Sequence, residues 1–341
     1  MSINSTSILF MGTLISGMLI TISSNSWLSA WMGLEINLLS FIPIMSSNEN
    51  IFTTEASLKY FLVQALASSI LLFLIISKTM MENMFSIVNP STSSVILSTP
   101  LLLKSGAAPF HWWFPSVMEG LSWMNCLILM TLQKIAPLIL VSYLIKSSMF
   151  SMSIIIFSVL MGAIGGYNQT SIRKILTYSS INHLGWMLSA MMLGENFWLM
   201  YFSIYTFLIL TIILIINPFQ ISFINQIFMS NNDNPIIKFM LFTTLLSLGG
   251  LPPFLGFLPK WLIIQSMVNN NLILIITIMV VFSLITLYYY LRISYSSFII
   301  LHSEPSWNIQ IYKNKKMMGC IMLSTISLLG LMLCTITMSI Y

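Results

Sequence analysis

Four ionisable side chains fall in the middle of apolar runs of this sequence: Glu35, Lys104, Lys134 and Lys260. A charge at the centre of a membrane-spanning helix costs about 2.5 to 3.5 kcal/mol on insertion scales, so four such groups need partners or water. Amines and carboxylates in that setting bind and release protons, and proton transfer is the chemistry these residue types allow. His183 belongs with them, because an imidazole changes its protonation near neutral pH. It fits equally well as a neutral histidine hydrogen-bonded to a neighbouring helix through Asn182 or Tyr178. The competing reading of the whole set is packing, with ion pairs that hold helices together. Snorkelling serves Lys59, Lys78 and Lys146, which lie near the ends of apolar runs, but does not reach from the middle of one.

The elements that must position these groups are membrane helices. Of 341 residues, 57% are hydrophobic and only 6% charged, a composition that excludes an ordinary soluble domain. Apolar runs of about 20 residues predict an all-α polytopic membrane protein with about eleven transmembrane helices. The longest connections, Asn217 to Pro235 and Ile293 to Lys316, leave no room for a catalytic domain. The first run lacks a basic flank and a convincing small-residue cleavage site, and is read as a true span. Cys126, Cys320 and Cys334 all lie in apolar runs and form no C-x-x-C pair. With no G-x-G-x-x-G, no P-loop and three scattered histidines, the chain offers no redox cofactor or metal site of its own. His111 reads as an anchor for a half-helix, and His302 as a loop residue.

Alternating the sides of successive spans sorts the 13 Lys and Arg residues. Lys59, Arg173, Lys174, Lys238, Arg292, Lys313, Lys315 and Lys316 share the side of the N-terminus, and only Lys78 and Lys146 lie opposite. By the positive-inside tendency, the N-terminus faces the compartment in which the chain is made.

Two of the spans are interrupted. In the fourth, Val95 to Met118, about 15 Å of helix leads to Lys104, roughly half of the 30 Å hydrocarbon thickness, before Gly106 and Pro109 break the run. In the ninth, Ile236 to Val268, Gly249, Gly250, Pro252 and Pro253 interrupt a run that would measure about 50 Å as a straight helix. Both breaks read G-x-x-P-F, Gly106 to Phe110 and Gly250 to Phe254, and each has a lysine close by, Lys104 or Lys260. Irregular backbone at that depth must line a cavity or be buried in protein. Spans four and nine cross in opposite directions, and matched broken helices of this kind point to an inverted-repeat carrier with its site at the midplane. The predicted organisation is one transmembrane domain: a first five-helix repeat over 1–146, a second over 147–292, and a loop with a final helix over 293–341. Gly162 and Gly166 give a small-x-x-x-small spacing for close helix contact.

The stretches LLLKSGAAPFHWWFPSVMEG (101–120), SIRKILTYSSINHLGWM (171–187) and LLSLGGLPPFLGFLPKW (245–261), with NSWLSAWMGLEINLLSFIP (25–43), resemble the signatures of the antiporter-like membrane subunits of respiratory complex I, in a mitochondrial, arthropod-like version. The resemblance runs nearly end to end, with the motifs in the family's order. It implies two five-helix inverted repeats in the membrane arm, in the mitochondrial inner membrane with the N-terminus on the matrix side. It also implies roles by position: Glu35 as the pairing carboxylate, Lys104 as its lysine, Lys134 as the central lysine, Lys260 as the lysine of the second broken helix, and His183 as the histidine of Y-S-S-x-x-H. The three extra N-terminal helices of bacterial relatives are not expected here.

On this resemblance, NADH, FMN, iron–sulfur clusters and ubiquinone belong to partner subunits, no cofactor or metal to this chain. Its partners are other membrane-arm subunits, neighbouring antiporter-like subunits among them, and lipid, with no nucleic acid. The activity is that of a proton-translocating NADH:ubiquinone reductase of which this chain is one subunit. A lysine and a carboxylate 4 Å apart at an effective dielectric constant of 20 attract by about 4 kcal/mol and titrate as a coupled pair. Withdrawing Glu35 would therefore weaken the hold of Lys104 on its proton, which would pass through Lys134 towards Lys260. Two alternatives stand beside this: a cation/proton antiporter acting alone, for which Glu35 is the only intramembrane carboxylate, and a structural subunit whose charges serve assembly.

Overall fold

A computed structural model describes residues 5–46, 50–81, 90–229, 235–295, 319 and 321–330. His302, Lys313, Lys315, Lys316, Cys320 and Cys334 lie outside the described residues, as do the ends of the final predicted span. The described chain is helical because lipid cannot hydrogen-bond a peptide group, and a helix satisfies its own backbone. Hydroxyl side chains inside these helices donate to carbonyls three or four residues back, as Ser40 does to Asn37 O at 2.9 Å and Thr211 to Leu208 O at 2.7 Å, so they cross the membrane already satisfied. Among the described residues, seven helices are long and apolar enough to span a bilayer. The chain divides into two compact units, Met1–Ile154 and Ile155–Tyr341.

In the first unit, α1 (Ser5–Ser23) packs along α2 (Trp27–Met45). Their backbones touch at two glycines: a Cβ on Gly17 would lie 3.0 Å from Gly33 O, and one on Gly33 would lie 2.9 Å from Gly17 O. Ser26 and Ser29 form a capping box that starts α2. Next come α3 (Ile51–Met81) and the two halves of the first broken span, α4 (Pro90–Ser105) and α5 (Trp113–Gly120). The fifth predicted span, Trp123 to Ile145, is also interrupted, into α6 (Trp123–Met130) and α7 (Leu132–Ser142) with Thr131 between them. At the interruption the Lys134 N–H donates to Thr131 O at 3.1 Å, three residues back instead of four, and the Thr131 hydroxyl donates to Leu127 O at 2.7 Å, a side-chain bond to the helix backbone that bends it; Pro137 lies beyond the break, inside α7. The α8 helix (Met149–Tyr167) crosses the division between the units.

The second unit is built around α9 (Ile172–Leu193), buried along most of its length even at polar positions such as Thr177, Ser179, Ser180, Asn182 and His183. Against it pack α10 (Glu195–Ile216) and α13 (Phe257–Asn269). A short α11 (Ile224–Met229) precedes α12 (Pro235–Gly249), and α14 (Ile273–Tyr295) packs on α12. The last described helix is α15 (Ile321–Gly330). The second break, between α12 and α13, is tied to it: the Leu255 N–H donates to Ser327 O at 3.2 Å. Gly162 of α8 lies so close to α9 that a Cβ there would sit 2.6 Å from Asn182 N and 2.7 Å from Tyr178 O, the contact predicted from small-residue spacing.

Candidate functional site

The four buried ionisable residues cannot reach water by stretching. Lys104 is 6% exposed, Lys134 2%, Lys260 5% and His183 7%. Glu35, on α2, is half-buried.

Lys104 ends α4. Gly106, at φ 79°, turns the chain out of the helix, a backbone conformation that glycine adopts without a side-chain penalty. The carbonyls freed at this end find specific partners: Trp113 Nε1 donates to Leu103 O at 3.1 Å, and Gln64 Nε2 donates to Lys104 O at 3.3 Å. The lysine side chain lines a small cavity with Asn37, Tyr60, Gln64 and Gln133, large enough for about one water molecule. Its polar wall is a directed chain. Tyr60 Oη donates to Gln133 Oε1 at 3.2 Å, and Gln133 Nε2 donates to Asn37 Oδ1 at 2.8 Å. Among the described residues, Glu35 and Lys104 are not closed to a salt bridge within 4.0 Å.

Lys134 follows Gln133 in the first turn of α7, just past the interruption at Thr131. Its ammonium lies 4.9 Å from the centre of the Phe114 ring of α5, a distance at which the ring face attracts a cation. The two broken spans of this unit thus meet at Lys134, and its sequence neighbour Gln133 lines the cavity of Lys104.

In the second unit, Lys260 stands in the first turn of α13 and reaches back across the break. Its Nζ donates to Gly249 O at 2.8 Å and lies 5.8 Å from the Trp186 ring centre. A cation on the last carbonyls of a helix satisfies an orphan acceptor and opposes the helix dipole. The side chain packs so tightly over Gly250, at φ 85°, that a Cβ there would lie 3.0 Å from Lys260 Cδ and 3.1 Å from Nζ. His183 Nδ1 lies 2.7 Å from Tyr201 Oη of α10.

The chain is similar to known proteins along most of its length. Residues 24–286 match the family described as NADH:quinone oxidoreductase/Mrp antiporter, TM. The chain is 59% identical over 311 residues to the NADH-ubiquinone oxidoreductase chain 2 of Anopheles gambiae, covering 91% of each. The chain belongs to the NADH-ubiquinone oxidoreductase chain 2 family. The Aedes aegypti chain 2 is 54% identical over 96% of both sequences. Among solved structures, a chain of respiratory complex I from Thermus thermophilus superposes with a TM-score of 0.82 at 23% identity, over 97% of this chain and 79% of that one. That match shares the fold, an all-helical membrane subunit.

For this chain 2 family member, the structure brings Lys104 into a cavity shared with Gln133. In the second unit it sets Lys260 on Trp186 of α9, one helical turn from His183. Sequence reasoning missed Asn37, Tyr60 and Gln64 as cavity residues and Tyr201 as the partner of His183. Position on α9 explains the last. Tyr178 and Asn182 are four residues apart and turn the same face to Gly162 of α8, whereas His183 is one residue on, about 100° round the helix. The signal available for Asn37, Tyr60 and Gln64 was their polarity inside apolar runs.

Proposed function

We propose that this chain is a core membrane-arm subunit of respiratory complex I in the mitochondrial inner membrane, its N-terminus towards the matrix, and that its buried lysines and Glu35 carry protons across the bilayer while partner subunits pass electrons from NADH to ubiquinone. The observation that carries the site assignment is the cavity at the end of α4. It sets the Lys104 ammonium beside an uncharged polar wall of Asn37, Tyr60, Gln64 and Gln133, and Glu35 is the carboxylate we assign to it. In general a nearby carboxylate favours the charged form of a lysine, so movement of that carboxylate would change how readily the proton leaves. In this reading Lys104 is the entry group, with Gln133 orienting what the cavity holds and Lys134 next in line at the interrupted α6–α7 span. Lys260 and His183 act in the second unit. A charge change in a neighbouring antiporter-like subunit would shift Glu35.

Replacing Lys104 by methionine keeps the length of the side chain and removes the titrating group. In the assembled complex, in sealed vesicles, the expected result is normal assembly with proton uptake per NADH oxidised clearly reduced. Normal assembly with unchanged pumping refutes the role given to Lys104.

A further inference from the structure

Where α8 and α14 end and α9 begins, the second unit exposes phenols and a guanidinium that take no part in the site described above. Gly166 of α8 joins the three helices: a Cβ there would lie 3.0 Å from Tyr289 Cε1 of α14 and 3.3 Å from Tyr178 Cβ of α9. Its neighbour Tyr167 stacks on Tyr288, with ring centres 5.6 Å apart and 14° between the planes. Unlike a core pair, these rings stand open, 44% and 50% exposed.

Tyr288, Arg292 and Tyr295 are spaced four and three residues apart, so they share one face of the last two turns of α14. All three are exposed. From Ile273 to Arg292 is about 28 Å of helix, close to the hydrocarbon thickness of roughly 30 Å, so the guanidinium stands at the edge of the apolar layer and Tyr288 just inside it. One turn deeper, Ile164 of α8 and Leu284 of α14 are also exposed and continue the stack as an apolar wall.

The charge at this end is unbalanced. Arg173 and Lys174 open α9 here, and Arg292 lies in the last turn of α14. Among the described residues of the second unit the only carboxylate is that of Glu195, which starts α10 at the opposite end of α9, and Arg292 forms no ion pair among the described residues. A belt of interfacial tyrosines needs no particular lipid. A guanidinium between two phenols, above an apolar wall, instead presents converging donors for phosphate oxygens at the depth of the headgroups, and basic groups between helix ends are the usual seat of anionic headgroups.

We propose that Tyr288, Arg292 and Tyr295, backed by Tyr167, form a site for the phosphate of an anionic phospholipid. The guanidinium donates to two phosphate oxygens and the two phenols donate to the same group, while an acyl chain runs down over Ile164 and Leu284. A lipid of net negative charge is preferred to a zwitterionic one, whose ammonium would be brought up to a surface that is already positive. The same turn of α14 turns Tyr290 and Leu287 inwards to the second break, 3.5 and 3.6 Å from the Cβ position of Gly249. A lipid held at Tyr288 therefore steadies the helix that backs the break. The site stands on its own chemistry and does not require the buried lysines to carry protons.

The test uses the assembled complex, stripped of loosely bound lipid in detergent and incubated with a phosphatidylglycerol that carries a photoreactive group in its acyl chain. Cross-linked peptides are mapped by mass spectrometry. The expected label falls on residues 284–295 and 164–167, and is displaced by excess unlabelled phosphatidylglycerol but not by phosphatidylcholine. Arg292→Gln should lower it about tenfold, the loss of one charged hydrogen bond, and Tyr288→Phe, which keeps the ring stack, roughly threefold, the share of a neutral one. Equal displacement by phosphatidylcholine marks ordinary bilayer contact and overturns the site. So does labelling that Arg292→Gln leaves unchanged, or an absence of label on both segments because a neighbouring subunit covers them. Where Arg292→Gln does not assemble, the competition on the unmodified complex and the Tyr288→Phe variant decide by the same criteria.

Discussion

The two breaks offer a matched experiment, because each turns on a glycine in the left-handed region but only one glycine lies under a lysine. Gly106 has φ 79°, and the nearest atoms to a Cβ there are 3.5 to 3.6 Å away, ordinary contact distances. Gly250 has φ 85°, and a Cβ there meets Lys260 Cδ at 3.0 Å and Nζ at 3.1 Å. Alanine at either site brings the backbone penalty of a positive φ, about 1 to 2 kcal/mol. Gly250→Ala must in addition push the Lys260 side chain aside by a few tenths of an ångström, weakening its charged hydrogen bond to Gly249 O, a bond worth about 1.5 to 3 kcal/mol when intact. The intact bond sets the upper bound on the difference between the variants, about 1.5 kcal/mol for a half-weakened bond, a factor of about ten if it falls on the opening of this region. The assay is the rate of heat inactivation of proton pumping in the assembled complex, with each variant compared to the unaltered protein. Gly106→Ala should inactivate modestly faster, and Gly250→Ala about tenfold faster again. Equal rates for the two would refute the claim that Lys260 caps the second break.

Gln133→Leu should leave Tyr60 without its acceptor and Asn37 Oδ1 without its donor, at about 1 to 3 kcal/mol for each buried group; slower pumping together with faster heat inactivation is the expected outcome, and unchanged values for both would remove Gln133 from the site. Gly162→Val should prevent stable assembly, because its side chain would be driven into Asn182 N and Tyr178 O, backbone atoms that cannot swing aside; blue-native electrophoresis reads the result, and a normal yield of complex contradicts the close packing of α8 on α9.

Much of this architecture was legible from residue types. Gly106, Pro109, Gly250 and Pro252 announced the breaks because glycine and proline act on the backbone locally, and the lysines beside them stood out against an apolar background. The interruption at Thr131 was half legible: Pro137 marked the span as weakened, but the break falls earlier, at a threonine whose hydroxyl bonds back to Leu127 O. The partners of the buried groups were not legible. Tyr60 and Asn37 meet Gln133 across 73 and 96 residues of sequence, and no local pattern encodes which polar residues of separate helices face one another. Nor does periodicity help along α9, since a helix covered on every side has no polar face to display.

The hydrogen bond from Leu255 to Ser327 makes the last described helix more than an appendage. Lipid offers no substitute acceptor for an amide at that depth, so shortening the chain ahead of Ser327 would strand the Leu255 N–H within the loop that carries Lys260 into place. The damage would surface at the lysine, far along the sequence from the cut, and a tail that makes no contact with a proton would still decide whether one is delivered.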